Sequence, residues 1–171
     1  MNVFGIIGRS GMGKTTLLAR LVPALIARGL AVSLIKHSHK EIEIDRPGKD
    51  SFRLREAGCR EVLLLGRSRW ALMHELGDAG EPSLDELLGR LRHCDLVLVE
   101  GFKSGDFPKL EVWRAPLGKP PLWPDWPGIR AIAHDAAAPP PGPVPGAGVA
   151  LLPLADTDAI AEFAIVHAAA R

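Results

Sequence analysis

The sequence predicts an α/β fold, a mostly parallel β-sheet flanked by helices and interrupted by a hairpin and loop excursion around residues 102–128. Three observations predict it. Runs rich in Val, Ile and Leu recur at 2–7, 30–35, 61–65, 96–99, 129–133 and 149–152, and they are apolar on both faces, as strands of a covered parallel sheet are. Helical stretches separate the early runs. A glycine-rich segment, GRSGMG at 8–13, stands between the first run and the first helical stretch, where a sheet edge meets a helix N-terminus.

In chain order, Asn2–Ile7 reads as the first strand and Lys14–Arg28 as a helix ended by Gly29. The run 30–35 is the second strand. Lys49–Ala57 is a second helix ended by Gly58, and each glycine sits where a left-handed C-terminal residue is wanted. Glu61–Leu65 is a third strand, followed by a helix over Leu84–His93 with Ser83 as its cap. After the run 96–99, FKSGDFPKLEVWR at 102–114 has the polar turn and extended flanks of a hairpin. PLGKPPLWPDWPG at 116–128 is irregular, because its prolines remove backbone donors and fix φ. Trp113, Trp123 and Trp126 lie in or beside that excursion and suit a surface for a partner copy, with packing onto their own domain as the alternative. AAAPPPGPVPGAG at 136–148 is a low-complexity linker, and Thr157–Ala170 is a final helix capped by Asp156.

A chain of 171 residues is expected to make one domain with a sizeable core. Twenty-one Lys and Arg against twenty Asp and Glu leave no bulk attraction to nucleic acid or to an anionic membrane, so any phosphate binding must be local. Cys59 and Cys94 lack metal-ligand spacing and read as small buried apolar residues in a reducing compartment. No run reaches the roughly 18 apolar residues a membrane span needs, and a cytoplasmic protein is expected.

Gly8-Arg-Ser-Gly-Met-Gly13-Lys14-Thr15 satisfies G-x-x-x-x-G-K-[ST] at every fixed position, between a strand and a helix as its mechanism requires. Glycines at 8, 11 and 13 let the backbone wrap closely with its N–H groups inward, and the following helix offers the positive end of its dipole. Lys14 can reach the β- and γ-phosphates, and the Thr15 hydroxyl can hold magnesium. Gly8, Ser10, Gly11, Met12, Gly13, Lys14, Thr15 and Thr16 are therefore candidate phosphate-binding residues of a P-loop fold. A nucleotide–metal site also needs a carboxylate at the end of a neighbouring buried strand. Glu100, closing DLVLVE, supplies it; Asp95 begins that strand at the far edge and reads as a cap or turn residue.

Residues 36–51, KHSHKEIEIDRPGKDS, follow the second strand and open onto the same edge. Lys36, His37, His39, Asp45, Lys49 and Asp50 make this segment a candidate switch that senses the γ-phosphate or contacts a second anion such as a pterin phosphate. His37 and Asp45 are expected to be needed for hydrolysis. His37 and His39 have no third ligand at zinc spacing. Asp135, after the run 129–133, can accept from guanine N1 and N2, although the usual N/T-K-x-D motif is absent.

The phosphate loop, KHSHKEIEIDRPGKDSFRLREAG, RWALMHEL and DLVLVEGFK, in this order and at these separations, resemble the molybdopterin-guanine dinucleotide biosynthesis protein B family, small P-loop proteins related to the dethiobiotin-synthetase-like group. The likeness covers Val3 to about Arg114. It implies a GTP-binding homodimer with weak GTPase activity that uses Mg2+ and assists the molybdenum cofactor guanylyltransferase, the enzyme joining GMP to molybdopterin. By this likeness the loop residues carry over as phosphate binders, and Glu100 as the metal-side carboxylate. The family's second motif usually has two adjacent histidines after the serine; here the second position is Lys40. A P-loop kinase or ligase acting on a small molecule shares the loop and the sheet, but it predicts an arginine-rich lid, and the 102–128 excursion holds no arginine besides Arg114. A dimeric binding module with a relic nucleotide site is the third reading.

Overall fold

The computed structural model describes residues 1–38, 42, 44–135 and 148–171. His39, Lys40 and the linker at 136–147 lie outside the described residues. The chain divides into two compact units, Met1–His37 with Leu87–Arg171, and Ser38–Glu86. In chain order the elements are β1 (Asn2–Ile7), α1 (Lys14–Ile26), β2 (Val32–Lys36), α2 (Asp50–Glu56), β3 (Glu61–Leu65), β4 (Trp70–His74) and α3 (Leu84–Leu88). They continue with β5 (Leu96–Glu100), β6 (Lys109–Trp113), β7 (Ile129–His134), β8 (Ala150–Pro153), α4 (Thr157–His167) and β9 (Ala169–Ala170).

The first unit is a sheet in the order β2-β5-β1-β6-β7-β8, with β9 pairing antiparallel to the start of β1. The other five pairings are parallel. The C-terminal ends of these strands therefore share one edge, and that edge carries Gly8, Lys36, Glu100, Arg114, Asp135 and Leu154. β1 is buried from Val3 to Ile7, as the both-face apolar pattern predicts. Phe4 and Ile6 face a core filled by Leu17, Leu21 and Leu25 of α1 and Ile160 of α4. On the opposite face Ile7 and Ile129 meet Leu122, Trp123 and Trp126, so the proline-rich connection covers these strands there.

Several boundaries move for local reasons. α4 is capped by Asp156, whose Oδ1 accepts from Ala159 N at 2.9 Å. It ends at His167 because Ala169 and Ala170 leave to pair with Val3 and Asn2. α3 begins with a reciprocal cap, Ser83 Oγ accepting from Glu86 N while Glu86 Oε2 accepts from Ser83 N. It stops at Leu88, well short of His93.

The larger correction concerns 102–114, which is no hairpin. Lys109–Trp113 is a single strand inserted between β1 and β7, buried at every position. Lys109 and Glu111, each 1 % exposed, are charges buried inside this central strand.

Among the described residues a hairpin forms in the second unit, where β3 and β4 pair antiparallel from Glu61–His74 to Leu65–Trp70. Its outward face presents Leu63, Leu65, Trp70 and Leu72, flanked by a Glu61–His74 contact of 2.7 Å. Cys94 is buried as expected, whereas Cys59 is exposed. No described helix is long and apolar enough to cross a membrane.

Candidate functional site

The site grows from the turn between β1 and α1. Gly8 has φ +148°, and a Cβ there would stand 2.5 Å from Val112 O, so any side chain would push the loop off β6. Gly13, with φ +90°, supplies the left-handed step that launches α1 without a side-chain cap. The free N–H groups at that helix start face the space a phosphate would fill. Lys14 folds back over the loop, its Nζ donating to Gly8 O at 2.9 Å and Arg9 O at 3.3 Å. Burial pulls its pKa down; Glu100 opposes this, while Lys103 and Lys36 add to it.

Thr15, one residue into α1, meets Glu100 at the end of β5, Oγ1 donating to Oε1 at 3.4 Å. Glu100 is buried, and its Oε2 stands 3.4 Å from Lys36 Nζ. A hydroxyl and a carboxylate side by side are the hard oxygen donors that Mg2+ takes while keeping its remaining waters, so these residues fit that ion. His37 follows directly, its N–H donating to Glu100 O at 2.8 Å and its ring lying 4.8 Å from that of Phe102.

On the other flank of the loop lies a cavity of about 410 Å3 lined by Met12, Gly13, Thr16, Leu17, Arg20, Arg114, Asp135, Leu154 and Ala155. Asp135 accepts from Arg114 Nε at 2.7 Å and from Ala115 N at 3.2 Å. The Arg114 hydrogen bond is the main cause holding its carboxyl below the usual range. Met12, nearly fully buried, accepts the Arg114 N–H on its sulfur at 3.3 Å.

Ser10 contributes its backbone, its carbonyl accepting from Lys119 Nζ at 2.9 Å, and Arg9 Nε donates to Pro120 O at 2.8 Å. The proline-rich connection is thereby strapped to the phosphate loop. Its root is Glu111, which accepts from Leu122 N at 2.7 Å and Trp123 N at 2.9 Å. Burial raises the Glu111 pKa, more than the two N–H bonds and nearby Arg9 lower it. Trp113 is 5 % exposed and donates to Lys119 O at 2.9 Å. Trp123 and Trp126 also pack on their own unit, which is the alternative the sequence left open for them.

The structure thus brings together Gly8, Ser10, Gly11, Met12, Gly13, Lys14, Thr15, Thr16, His37, Glu100 and Asp135 in the first unit. Asp45 lies in the second unit, 8 % exposed, with Arg55 Nη2 donating to its Oδ1 at 3.1 Å and Arg55 Nη1 to Glu75 Oε1 at 3.0 Å. Sequence reasoning missed Arg9, Glu111, Arg114 and Lys119. The one signal for Glu111 was a charge in the middle of an otherwise apolar strand.

The family model described as "Molybdopterin guanine dinucleotide synthesis protein B" matches residues 3–135. The chain is 41% identical over 160 residues to the molybdopterin-guanine dinucleotide biosynthesis adapter protein of Escherichia coli K12, covering 91% of this chain and 87% of that one. It is 49% identical over 121 residues to the protein of the same name from Haemophilus influenzae, covering 69% and 66%. Among solved structures, the MobB protein homolog of Bacillus stearothermophilus superposes with a TM-score of 0.67 at 25% identity, covering 97% of each chain. Bacillus subtilis MobB superposes at 0.72 over the whole of both chains, and at 21% identity that likeness speaks for the fold.

Proposed function

The chain belongs to the molybdopterin guanine dinucleotide synthesis protein B family, and from that membership we propose that it is a GTP-binding adapter in the attachment of GMP to molybdopterin. Relatives named as adapter proteins of this biosynthesis support the role. The observation that carries the nucleotide part is the phosphate loop, with Lys14 held over it and Thr15 beside Glu100.

In this reading Lys14 and the loop N–H groups bind the triphosphate, and Thr15 and Glu100 hold Mg2+. The ion supplies charge neutralisation at the β- and γ-phosphates. Glu100 is committed to that ion and to its neighbours, which suits slow hydrolysis: weak GTPase activity accompanies a protein whose task is to present nucleotide or cofactor to a guanylyltransferase. The cavity beside Thr16 receives the base, with Asp135 able to accept from the N1 and N2 positions of guanine.

A homodimer belongs to the same proposal. Two-stranded sheets are marginal alone, and Ser38–Glu86 is too short to hide the apolar face of its own hairpin easily. Leu65 at 80 % and Trp70 at 57 % exposure suit burial against a second copy.

Titration calorimetry with GTP and ATP, in Mg2+ and in chelator, tests the nucleotide reading. The expected result is Mg2+-dependent GTP binding that weakens about ten- to hundredfold in Lys14→Ala, the worth of a charge-assisted contact. Calorimetry with the guanylyltransferase then tests the adapter role. Absence of GTP binding by the parent protein would overturn the first, and absence of any guanylyltransferase complex the second.

A further inference from the structure

Lys36 and Glu100 close neighbouring parallel strands and are register partners at the site edge. Partners in register project to the same face of the sheet. Their exposures differ sharply: the Lys36 side chain is 52 % exposed and that of Glu100 is 7 %. A buried carboxylate stripped of its partner is strongly destabilised, whereas a half-exposed ammonium can leave for water or for another anion at little cost. Thr15 Oγ1 donates to Oε1 and Lys36 Nζ stands 3.4 Å from Oε2, so each oxygen of Glu100 has its own neighbour.

The charge balance points the same way. Lys14 feels Glu100 as an attraction, and Lys103 and Lys36 as repulsions, so two further ammonium groups and one carboxylate act on the Lys14 ammonium. Three positive charges less one negative leave a surplus of two, beside a helix N-terminus that already favours anions. A metal site needs no such surplus. A site for a highly charged phosphate does.

We propose that Lys36 is a specificity residue for the terminal phosphate: it neutralises Glu100 while the loop is empty and moves to γ-phosphate oxygens when Glu100 turns to Mg2+, so that the site selects GTP over GDP. This rests on the reading that Mg2+–GTP occupies the loop. The transfer has a plain cause. Lys36 and a divalent ion on one carboxylate repel each other at contact distance, and a γ-phosphate offers the displaced ammonium a charge-assisted partner. In a GDP complex that partner is missing, and Lys36 keeps competing for Glu100.

Calorimetry on the full chain with Mg2+–GTP and Mg2+–GDP, for the parent, Lys36→Met, Lys36→Arg and Lys103→Met, tests the assignment. Lys36→Met is expected to weaken GTP by about ten- to hundredfold, as loss of one charge-assisted contact does, with no loss of GDP affinity. The Mg2+ concentration needed to saturate the GDP complex should fall in the same variant, because Glu100 has lost its competitor. Lys36→Arg should keep most of the preference for GTP, and Lys103→Met should leave it in place. Equal losses for both nucleotides in a variant with a parent-like circular dichroism spectrum, or loss of the preference in Lys103→Met alone, would overturn the role of Lys36. No binding of either nucleotide by the parent would overturn the Mg2+–GTP reading and this proposal with it.

Discussion

Thr15 and Glu100, 85 residues apart in the chain, meet at the phosphate loop with Oγ1 donating to Oε1 at 3.4 Å. A tight O–H···O bond is about 2.8 Å, so the pair is close without being drawn together. Glu100→Gln keeps an acceptor for Thr15 and removes the charge that Mg2+ requires. GTP affinity measured with Mg2+ and with chelator should differ in the parent and coincide in the variant. A metal effect that survives the substitution would move the cation site away from Glu100.

Arg114 and Asp135 give a second prediction. Asp135 is held ionised by Arg114 at 2.7 Å in the cavity that also touches Gly13 and Thr16. An acceptor there favours the N1–H and N2–H donors of guanine and is mismatched with adenine, so Asp135→Asn should narrow the gap between GTP and ATP. Arg114→Ala should free the carboxylate and leave the gap intact or wider. Competition titrations with the two nucleotides measure it. An unaltered preference in Asp135→Asn would place base recognition elsewhere.

These residues show how far the sequence could be read. The phosphate loop was legible because its geometry is local: glycine at 8 and 13 and lysine at 14 mean the same thing wherever a strand feeds a helix. Glu100 was legible because a single carboxylate closing an apolar run must emerge at the strand end. β6 was not, since the reading weighs charges as exposure, and Lys109 and Glu111 are buried charges. Each is satisfied from outside its strand, Lys109 Nζ donating to Phe107 O at 2.9 Å and lying 4.0 Å from the Phe107 ring, Glu111 accepting from the backbone of the loop it anchors. Such partners arise only on folding. The tryptophans left two readings open for the same reason, because indoles that cluster in sequence around prolines can pack on β1 and β7, which lie far from them along the chain. The β3–β4 pairing was missed because an antiparallel hairpin and a parallel strand share the run EVLLL; only the partner distinguishes them.

The hairpin carries a prediction on assembly. Leu65 pairs with Trp70 at its closed end, and both are exposed. Leu65→Lys should disfavour burial of this face against a second copy while costing the protomer little, because the position is already in water. Light scattering should move from a dimer in the parent towards the 18.4 kDa protomer in the variant. Dimers unaffected by Leu65→Lys and by Trp70→Ser would put the interface on another surface.

Glu111 links stability to the phosphate loop, and its direction with pH follows from its burial. The native pKa is raised above the ordinary 4.5, with burial as the main cause. The folded protein therefore binds this proton more tightly than the unfolded chain, so stability should fall as pH rises from the unfolded carboxyl value through the raised native one, and then level off. The slope from one proton is at most about 1.4 kcal/mol per pH unit. Glu111→Gln carries no such proton. Its unfolding free energy, measured by denaturant titration across acid to neutral pH, should lack that decline, so the difference between parent and variant should change across the window and be constant above it. The amide also turns a donor towards either Leu122 N or Trp123 N, leaving one backbone N–H without its acceptor, which costs about 1–3 kcal/mol. Because the same connection bonds the phosphate loop through Arg9 to Pro120 O and Lys119 to Ser10 O, the variant should also weaken GTP binding although Glu111 touches no nucleotide. Parallel pH curves for parent and variant would show that Glu111 titrates alike in the folded and unfolded chain, and unchanged GTP affinity would show that the strap and the loop move independently.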